Sequence, residues 1–402
     1  MITRRQIALV SLTSLRAARR TPRRLLPALL TLLIAGCGAG TTTAPTADKA
    51  EVPTPRLVST DGYQVGAYYF PGWPTRAQWK VLDALPERRP LLGYYAEGDP
   101  VVMDWQIKWA VEHGITFFAF DWYWDRGRRQ LEHALHRGYL KARFRPLLKF
   151  CLLWANHNPP GSHSEADLMA LVDFWIAEYF GLPEYLTIDG KPVVIVFAPS
   201  LLRNDMGSEA AAAIRRMRAR VERAGYPGLF LIGTVDDNRD EQARLAAEGY
   251  DAGTGYNYHR AGMPDKSASA WPYDDAVDGY EQIWLANAKA GLLEYVPVTE
   301  PGWDSRPWDG DKALVRTGRT PERFADMLTR ARAFVDGHPV AGGKKIVLIE
   351  AWNEYGEGAV IEPHRAWGFA YLDVVRRVFT SERGTHRDVT PEDLGLSIPT
   401  AP

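Results

Sequence analysis

The sequence predicts an α/β fold, a (β/α)8 TIM barrel in a single domain over residues 61–380. Three observations predict it. Short apolar runs that read as buried parallel strands alternate with helical patterns along the whole stretch, eight of each. No glycine-rich phosphate loop follows the first run, where Pro71-Gly72-Trp73-Pro74 stands instead; that argues against the other candidate, an open doubly wound sheet. Aromatic, amide and acidic residues gather after the strands and not after the helices, an asymmetry between the two ends of a barrel.

Taken in order, the first strand is read at 65–70, with Tyr68 inside it, and its helix at 104–113. The second strand, 115–120, leads into Asp121-Trp122-Tyr123-Trp124-Asp125 and a helix at 129–141. The third, 145–152, is followed by Trp154-Ala155-Asn156-His157-Asn158 and a helix at 165–180. The fourth and fifth strands, 193–197 and 229–233, precede helices at 208–224 and 240–248. The sixth, 252–256, ends in Tyr256-Asn257-Tyr258-His259, with a helix at 279–290. The seventh, 295–299, leads into Glu300-Pro301-Gly302-Trp303-Asp304 and Trp308, with a helix at 321–335. The eighth, 345–351, leads into Trp352-Asn353-Glu354-Tyr355-Gly356-Glu357-Gly358, and a helix at 368–379 closes the series. A tail is read at 381–402.

The N-terminal 36 residues read as a targeting segment outside the fold: seven arginines precede an apolar stretch at 25–34. Ile34-Ala35-Gly36-Cys37 has the pattern of a bacterial lipobox, which makes Cys37 the lipidated first residue of the mature chain; an ordinary secretory signal is the alternative. Residues 37–60 read as a flexible tether rich in Thr, Ala and Pro. No other stretch reaches the ~18 apolar residues that span a bilayer. The expectation is therefore a protein anchored to a bacterial cell-envelope membrane through Cys37, on the periplasmic or cell-surface side. Removing the seven arginines takes the charge from −1 to −8, 41 basic against 49 acidic residues. That balance argues against a nucleic-acid partner. Cys151, in an apolar strand, reads as an inert core thiol.

Glu354 and Glu357 are the candidate catalytic pair. If the chain turns helically there, residues three apart share a face with Cβ atoms ~5–6 Å apart. Two close carboxylates repel, so one is driven towards the protonated form, and an acid beside a base suits glycosidic bond chemistry. Asp121, Asn156, Asn257, Glu300, Asp304 and Glu362 are candidate partners for sugar hydroxyls, Glu362 alternatively for an arginine. Tyr68, Trp122, Tyr123, Trp154, Tyr256, Trp303, Trp352 and Asn353 are the remaining candidate contacts, since aromatic faces pack on the C–H faces of sugar rings. No histidine cluster accompanies the acids, so no catalytic metal and no cofactor is expected.

A resemblance adds to this reading. Ala67-Tyr68-Tyr69-Phe70-Pro71, Leu92-Gly93-Tyr94-Tyr95, Gly114-Ile115, Gly127-Arg128-Arg129, Trp154-Ala155-Asn156, Asp189-Gly190-Lys191-Pro192 and Trp352 to Gly358 with Glu362-Pro363 run in the order seen in the WbsX family. That family is in turn similar to the endo-α-mannosidases of glycoside hydrolase family 99, which are (β/α)8 barrels. Their Asn-Glu-Trp-His-Glu-Gly stretch matches Asn353 to Gly358, with Gly356 where they carry His. Their His-Ile-Pro-Pro-Tyr segment has no counterpart here, which leaves the sugar open. The resemblance implies retention of configuration. In it Glu354 draws the proton from the sugar 2-hydroxyl, and Glu357 is the general acid and then base. Three classes of function fit the sequence: a lipid-anchored glycoside hydrolase acting on a polysaccharide or glycan, a glycosyltransferase of polysaccharide synthesis, and a non-catalytic glycan-binding lipoprotein.

Overall fold

The computed structural model describes residues 51–402 apart from 383 and 385. The targeting segment, Cys37 and the tether as far as residue 50 lie outside the described residues. The folded unit spans Val52–Pro402. It therefore begins before the expected 61, because the chain from 52 is held by the barrel: the Arg143 guanidinium donates to the Val52 carbonyl and the Arg56 amide to Glu112 at 2.9 Å.

Eight parallel strands form the wall: β1 (Tyr63–Tyr69), β2 (Phe117–Asp125), β3 (Lys149–Trp154), β4 (Lys191–Val196), β5 (Phe230–Thr234), β6 (Ala252–Thr254), β7 in two pieces (Glu294–Tyr295 and Val298–Thr299) and β8 (Lys345–Ile349). β1 pairs with β8 and β2, and the ladder continues from β2 through β3, β4 and β5 to β6. The first piece of β7 pairs with β6 and the second with β8, so the ring closes. Pro297 separates the pieces; it has no N–H to give to a ladder, and only its carbonyl is used, accepting from the Leu348 amide at 2.9 Å.

The outer layer contains α1 (Pro100–Glu112), α2 (Glu165–Trp175), α3 (Ala210–Arg223), α4 (Arg239–Glu248), α5 (Tyr273–Ala290), α6 (Pro321–Gly337) and α7 (Ala370–Phe379). Several starts follow side-chain caps: Asp99 accepts from Val101 N–H, Ser164 from Asp167 N–H and Thr320 from Arg323 N–H. The second expected helix is replaced. β2 runs on to Asp125 and turns through Arg126 and Gly127, both at positive φ, into a short antiparallel strand at Arg128–Gln130. A π-helical turn (Ala134–Gly138) and a 3-10 turn (Tyr139–Lys141) then stand where α-helix was expected. An extra helix, Pro199–Met206, precedes α3.

Period-two alternation decides which side chains line the barrel. On β2, Phe120 packs on Tyr139 and Phe150, and Trp122 packs on Phe174 and Trp175 of α2. Asp121 and Tyr123, one residue out of phase, face the interior. Cys151 is fully buried in β3, and burial pushes its thiol pKa up, in keeping with an inert core residue.

Candidate active site

Five carboxyl groups converge at the end of the barrel where the strands finish. Asp121 comes from β2, Glu300 from the exit of β7, Glu350 from the exit of β8, and Glu354 and Glu357 from the loop beyond it. That loop is not helical. Asn353–Glu354 pairs antiparallel with Ala359–Val360, and the Glu357 amide donates to the Glu354 carbonyl at 3.2 Å, closing a reverse turn. Glycine is required at its centre: a Cβ on Gly356 would lie 1.7 Å from Nε1 of Trp308. Gly358, at φ +70°, supplies the left-handed step that brings the chain back. The turn is held from outside. The Asp304 amide donates to the Glu357 carbonyl at 2.6 Å, while Arg88 and Arg306 clamp the Asp304 carboxylate.

The phenol of Tyr256 lies between two of the acids, 3.0 Å from Asp121 Oδ2 and 2.9 Å from Glu354 Oε1. A phenol has one proton to donate. One of the two carboxyls must therefore carry a proton and donate to the phenol oxygen. Burial pushes the pKa of both acids well above the usual carboxylate range; Asp121 adds to the rise at Glu354 and Glu357 to that at Asp121. Glu357 is also pushed well up, first by burial and then by the Glu354 charge. Glu350, buried behind it, is raised by burial and by Glu357, and the two carboxyls sit close enough to share a proton. Glu300 completes the group: Tyr280 donates to its Oε2 at 2.5 Å, and burial pushes it up to about 7. Glu357 Oε2, Asp121 Oδ1 and Glu300 Oε1 have no hydrogen-bond partner among the described residues. Such a cluster cannot hold five negative charges, so it stores protons near neutral pH.

Of the sequence candidates, Asp121, Tyr256, Glu354, Glu357 and Glu300 meet here, and Tyr123 and Asn257 line the approach, partly exposed. Several others are committed elsewhere. Tyr68 is a floor residue: its ring lies 4.9 Å from that of Tyr256 and its hydroxyl donates to the Gly255 carbonyl at 2.8 Å. Trp122 and Trp154 face the helices, the first donating to Tyr179 at 3.0 Å, the second packed on Trp175. Trp352 is fully buried against Phe118. Asn156 exchanges two hydrogen bonds with Ala198, and Asn353 two with Phe70, so each ties neighbouring strand ends together. Trp303 stacks on His259 at 4.5 Å. Asp304 braces the turn as described. Glu362 holds neither a free face for a hydroxyl nor an arginine; fully buried, it accepts from Tyr95, Tyr355 and Gln106 at 2.8–2.9 Å.

Two residues were missed. Glu350 was absorbed into the end of the eighth strand, although a charged residue closing an apolar run is itself the signal for the barrel mouth. Trp308 was noted but not assigned. Its indole, half-buried, lies over Gly356 and stacks at 5.7 Å on the fully buried Trp73, which stacks in turn on the fully buried Trp79 at 4.5 Å.

The fold recurs in solved structures. A glycoside hydrolase-like protein aligns with a TM-score of 0.59 at 20% identity, covering 84% of this chain and 99% of its own. The GH99 endo-α-mannosidase from Bacteroides thetaiotaomicron aligns with a TM-score of 0.56 at 15% identity, covering 80% and 97%. Among curated sequences, the uncharacterized protein WxcX of Xanthomonas campestris pv. campestris is 28% identical over 311 residues, 72% of this chain. The chain spans only 43% of that relative's length. Among the described residues no helix is long and apolar enough to cross a membrane. With its family model matched over residues 84–375, the chain belongs to the family described as Glycosyltransferase WbsX.

Proposed function

We propose that this protein is a glycoside hydrolase acting on a polysaccharide or glycan with retention of configuration. One observation supports the reading: Glu354 and Glu357 belong to one cluster of buried acids at the strand ends, Glu354 joined to Asp121 through Tyr256 and Glu357 beside Glu350. With Asp121 protonated, the proton chain runs from Asp121 through Tyr256 to Glu354, which leaves Glu354 ionised as a base. The Glu354 charge then keeps the proton on Glu357, which gives it to the leaving oxygen. In the first step Glu354 takes the proton of the sugar 2-hydroxyl, that oxygen forms a bond to the anomeric carbon, and the glycosidic C–O bond breaks as Glu357 protonates the departing oxygen. In the second step Glu357 takes a proton from water, the water oxygen bonds to the anomeric carbon, and the strained ring opens with its oxygen reprotonated by Glu354. Tyr123, Asn257 and Trp308, the last backed by the buried Trp73, are the sugar contacts.

The family's name favours a second reading, a glycosyltransferase. The Cys37 lipobox supports the first, since export removes the enzyme from cytoplasmic sugar nucleotides; lipidation at Cys37 is tested by labelled fatty acid incorporation, lost in Cys37→Ser. The deciding experiment incubates a glycan library with the wild type and with Glu357→Gln. New reducing ends are expected with the wild type, falling ~10²–10⁴-fold in the variant with its fold intact. Sugar-nucleotide binding by calorimetry, with labelled sugar transferred and no hydrolysis, would establish the transferase instead. Glycan binding without turnover in both forms would leave a binding protein.

A further inference from the structure

At the opposite end of the barrel, four polar atoms without hydrogen-bond partners converge. α1 leads back from the catalytic rim to the strand N-termini, and His113 follows it as the C-cap residue. His113 is fully buried, with Nδ1 2.7 Å from the Trp109 carbonyl. A carbonyl only accepts, so Nδ1 carries a proton and Nε2 is the nitrogen left to bind a cation. The chain beyond α7 returns to this point and brings His386 and Asp388 with it. Asp388 Oδ1 lies 3.3 Å from His113 Nε2 and 3.2 Å from His386 Nε2, and all three donor atoms lie within 4.8 Å of one another. Glu112 Oε2 lies 3.7 Å from His386 Nε2. None of these four atoms has a hydrogen-bond partner among the described residues.

We propose that His113, His386 and Asp388 form a binding site for a divalent transition-metal cation of the zinc type, clamping the C-terminal segment to the end of α1. Two imidazoles and a carboxylate are the donor set such cations take. The spacing fits as well: metal–ligand bonds of ~2.0–2.1 Å in a tetrahedron put neighbouring donors about 3.3 Å apart. The bond from His113 Nδ1 to a carbonyl is the outer contact that fixes the tautomer and orients a ligating ring. The strap is registered beside the site, because the Trp109 indole donates to the Val389 carbonyl at 3.0 Å. The surrounding charges allow a cation. Lys108 is paired with the other Glu112 oxygen and Arg376 with the Glu112 carbonyl, while Asp373 stands 3.7 Å from His113 Nε2. A bare His–Asp ion pair is the competing reading, but it would carry a hydrogen bond along the imidazole N–H direction, and neither Nε2 has one.

The test uses the full-length protein stripped with EDTA and then titrated with ZnCl2, alongside His386→Ala, Asp388→Ala and Glu354→Gln. Calorimetry should give one zinc per chain, bound at about micromolar affinity or tighter. Zinc should raise the Tm reversibly, and cobalt(II) in its place should show the absorption bands of a tetrahedral N/O site. Each strap variant should bind at least ~100-fold more weakly while keeping its circular dichroism, and Glu354→Gln should bind as the wild type does. Wild-type binding no tighter than that of His386→Ala would overturn the proposal, as would stoichiometric binding that survives in both strap variants. Because the readout is binding and not turnover, its failure says nothing about the acid cluster.

Discussion

A single proton on Tyr256 has two carboxyls to satisfy, and that shortage organises the site. It forces one of Asp121 and Glu354 to be neutral and makes the phenol the relay between them. Gly356 organises the opposite wall. The WbsX chain has glycine where the mannosidase pattern has histidine, and the space a side chain would fill is taken by the Trp308 indole from the loop after β7. Gly356→Ala should therefore expel Trp308, costing about 1–3 kcal/mol as overpacking does. Gly356→Ala combined with Trp308→Ala should cost less than the sum of the two single changes. Denaturant unfolding of all four forms checks it; additive effects would mean that the two residues do not share the space.

The hairpin after β8 is the element that presents both glutamates, and it is braced on each side. Arg88 and Arg306 hold it through Asp304. On the other side Glu362 gathers Tyr95, Tyr355 and Gln106. Burial pushes Glu362 from its ordinary 4.5 up to about 7. A raised folded-state pKa in an acid means that the folded form holds its proton after the unfolded chain has released it. The stability from this group is full below about 4.5 and is lost as the pH rises through about 7. The loss amounts to about 3 kcal/mol over that window. Glu362→Gln should remove this part of the slope, leaving only that of Glu300 and its neighbours. Urea unfolding at pH 5 and pH 8 measures it; an unchanged slope would mean that Glu362 is ionised in the folded protein. The helical turn at 354–357, one of the forms the sequence allows, is not the one adopted. Spacing of three is shared by a helical turn and a reverse turn, and only the pairing of Asn353–Glu354 with Ala359–Val360 selects the second.

On the scale of the molecule, the C-terminal segment behaves as a strap along the barrel and not as a loose tail. It runs from Asp388 beside His113 back to the catalytic end, where Pro399 and Pro402 carbonyls accept from Ala96 and Arg76 amides, and the Ala401 amide donates to Tyr94. Truncation after residue 379 strips these partners and exposes Trp109. It should cost about 2 kcal/mol or more, seen as a lower Tm, with zinc protection lost. An unchanged Tm would show that the strap contributes nothing. Of the barrel, all eight strands and most helices were legible in the sequence, because short apolar runs bounded by turns report burial directly. The hairpin at Arg128–Gln130 was not: its residues are as polar as an exposed helix face, and two positive-φ residues decided the turn. Of the site, the glutamate pair and the aromatic rim were legible, and the fate of each Trp and Asn was not. One residue of register on a strand sends a side chain to the lumen or to the helices, which separates Asp121 from Trp122. The sequence by itself determined the barrel and the end at which the acids gather, since composition and periodicity record what must be buried. Only the tertiary structure decided that Asp121 meets Glu354 through Tyr256, and that His113 meets His386 and Asp388, because each encounter joins acids or histidines more than 200 residues apart whose order in the chain carries no trace of their distance.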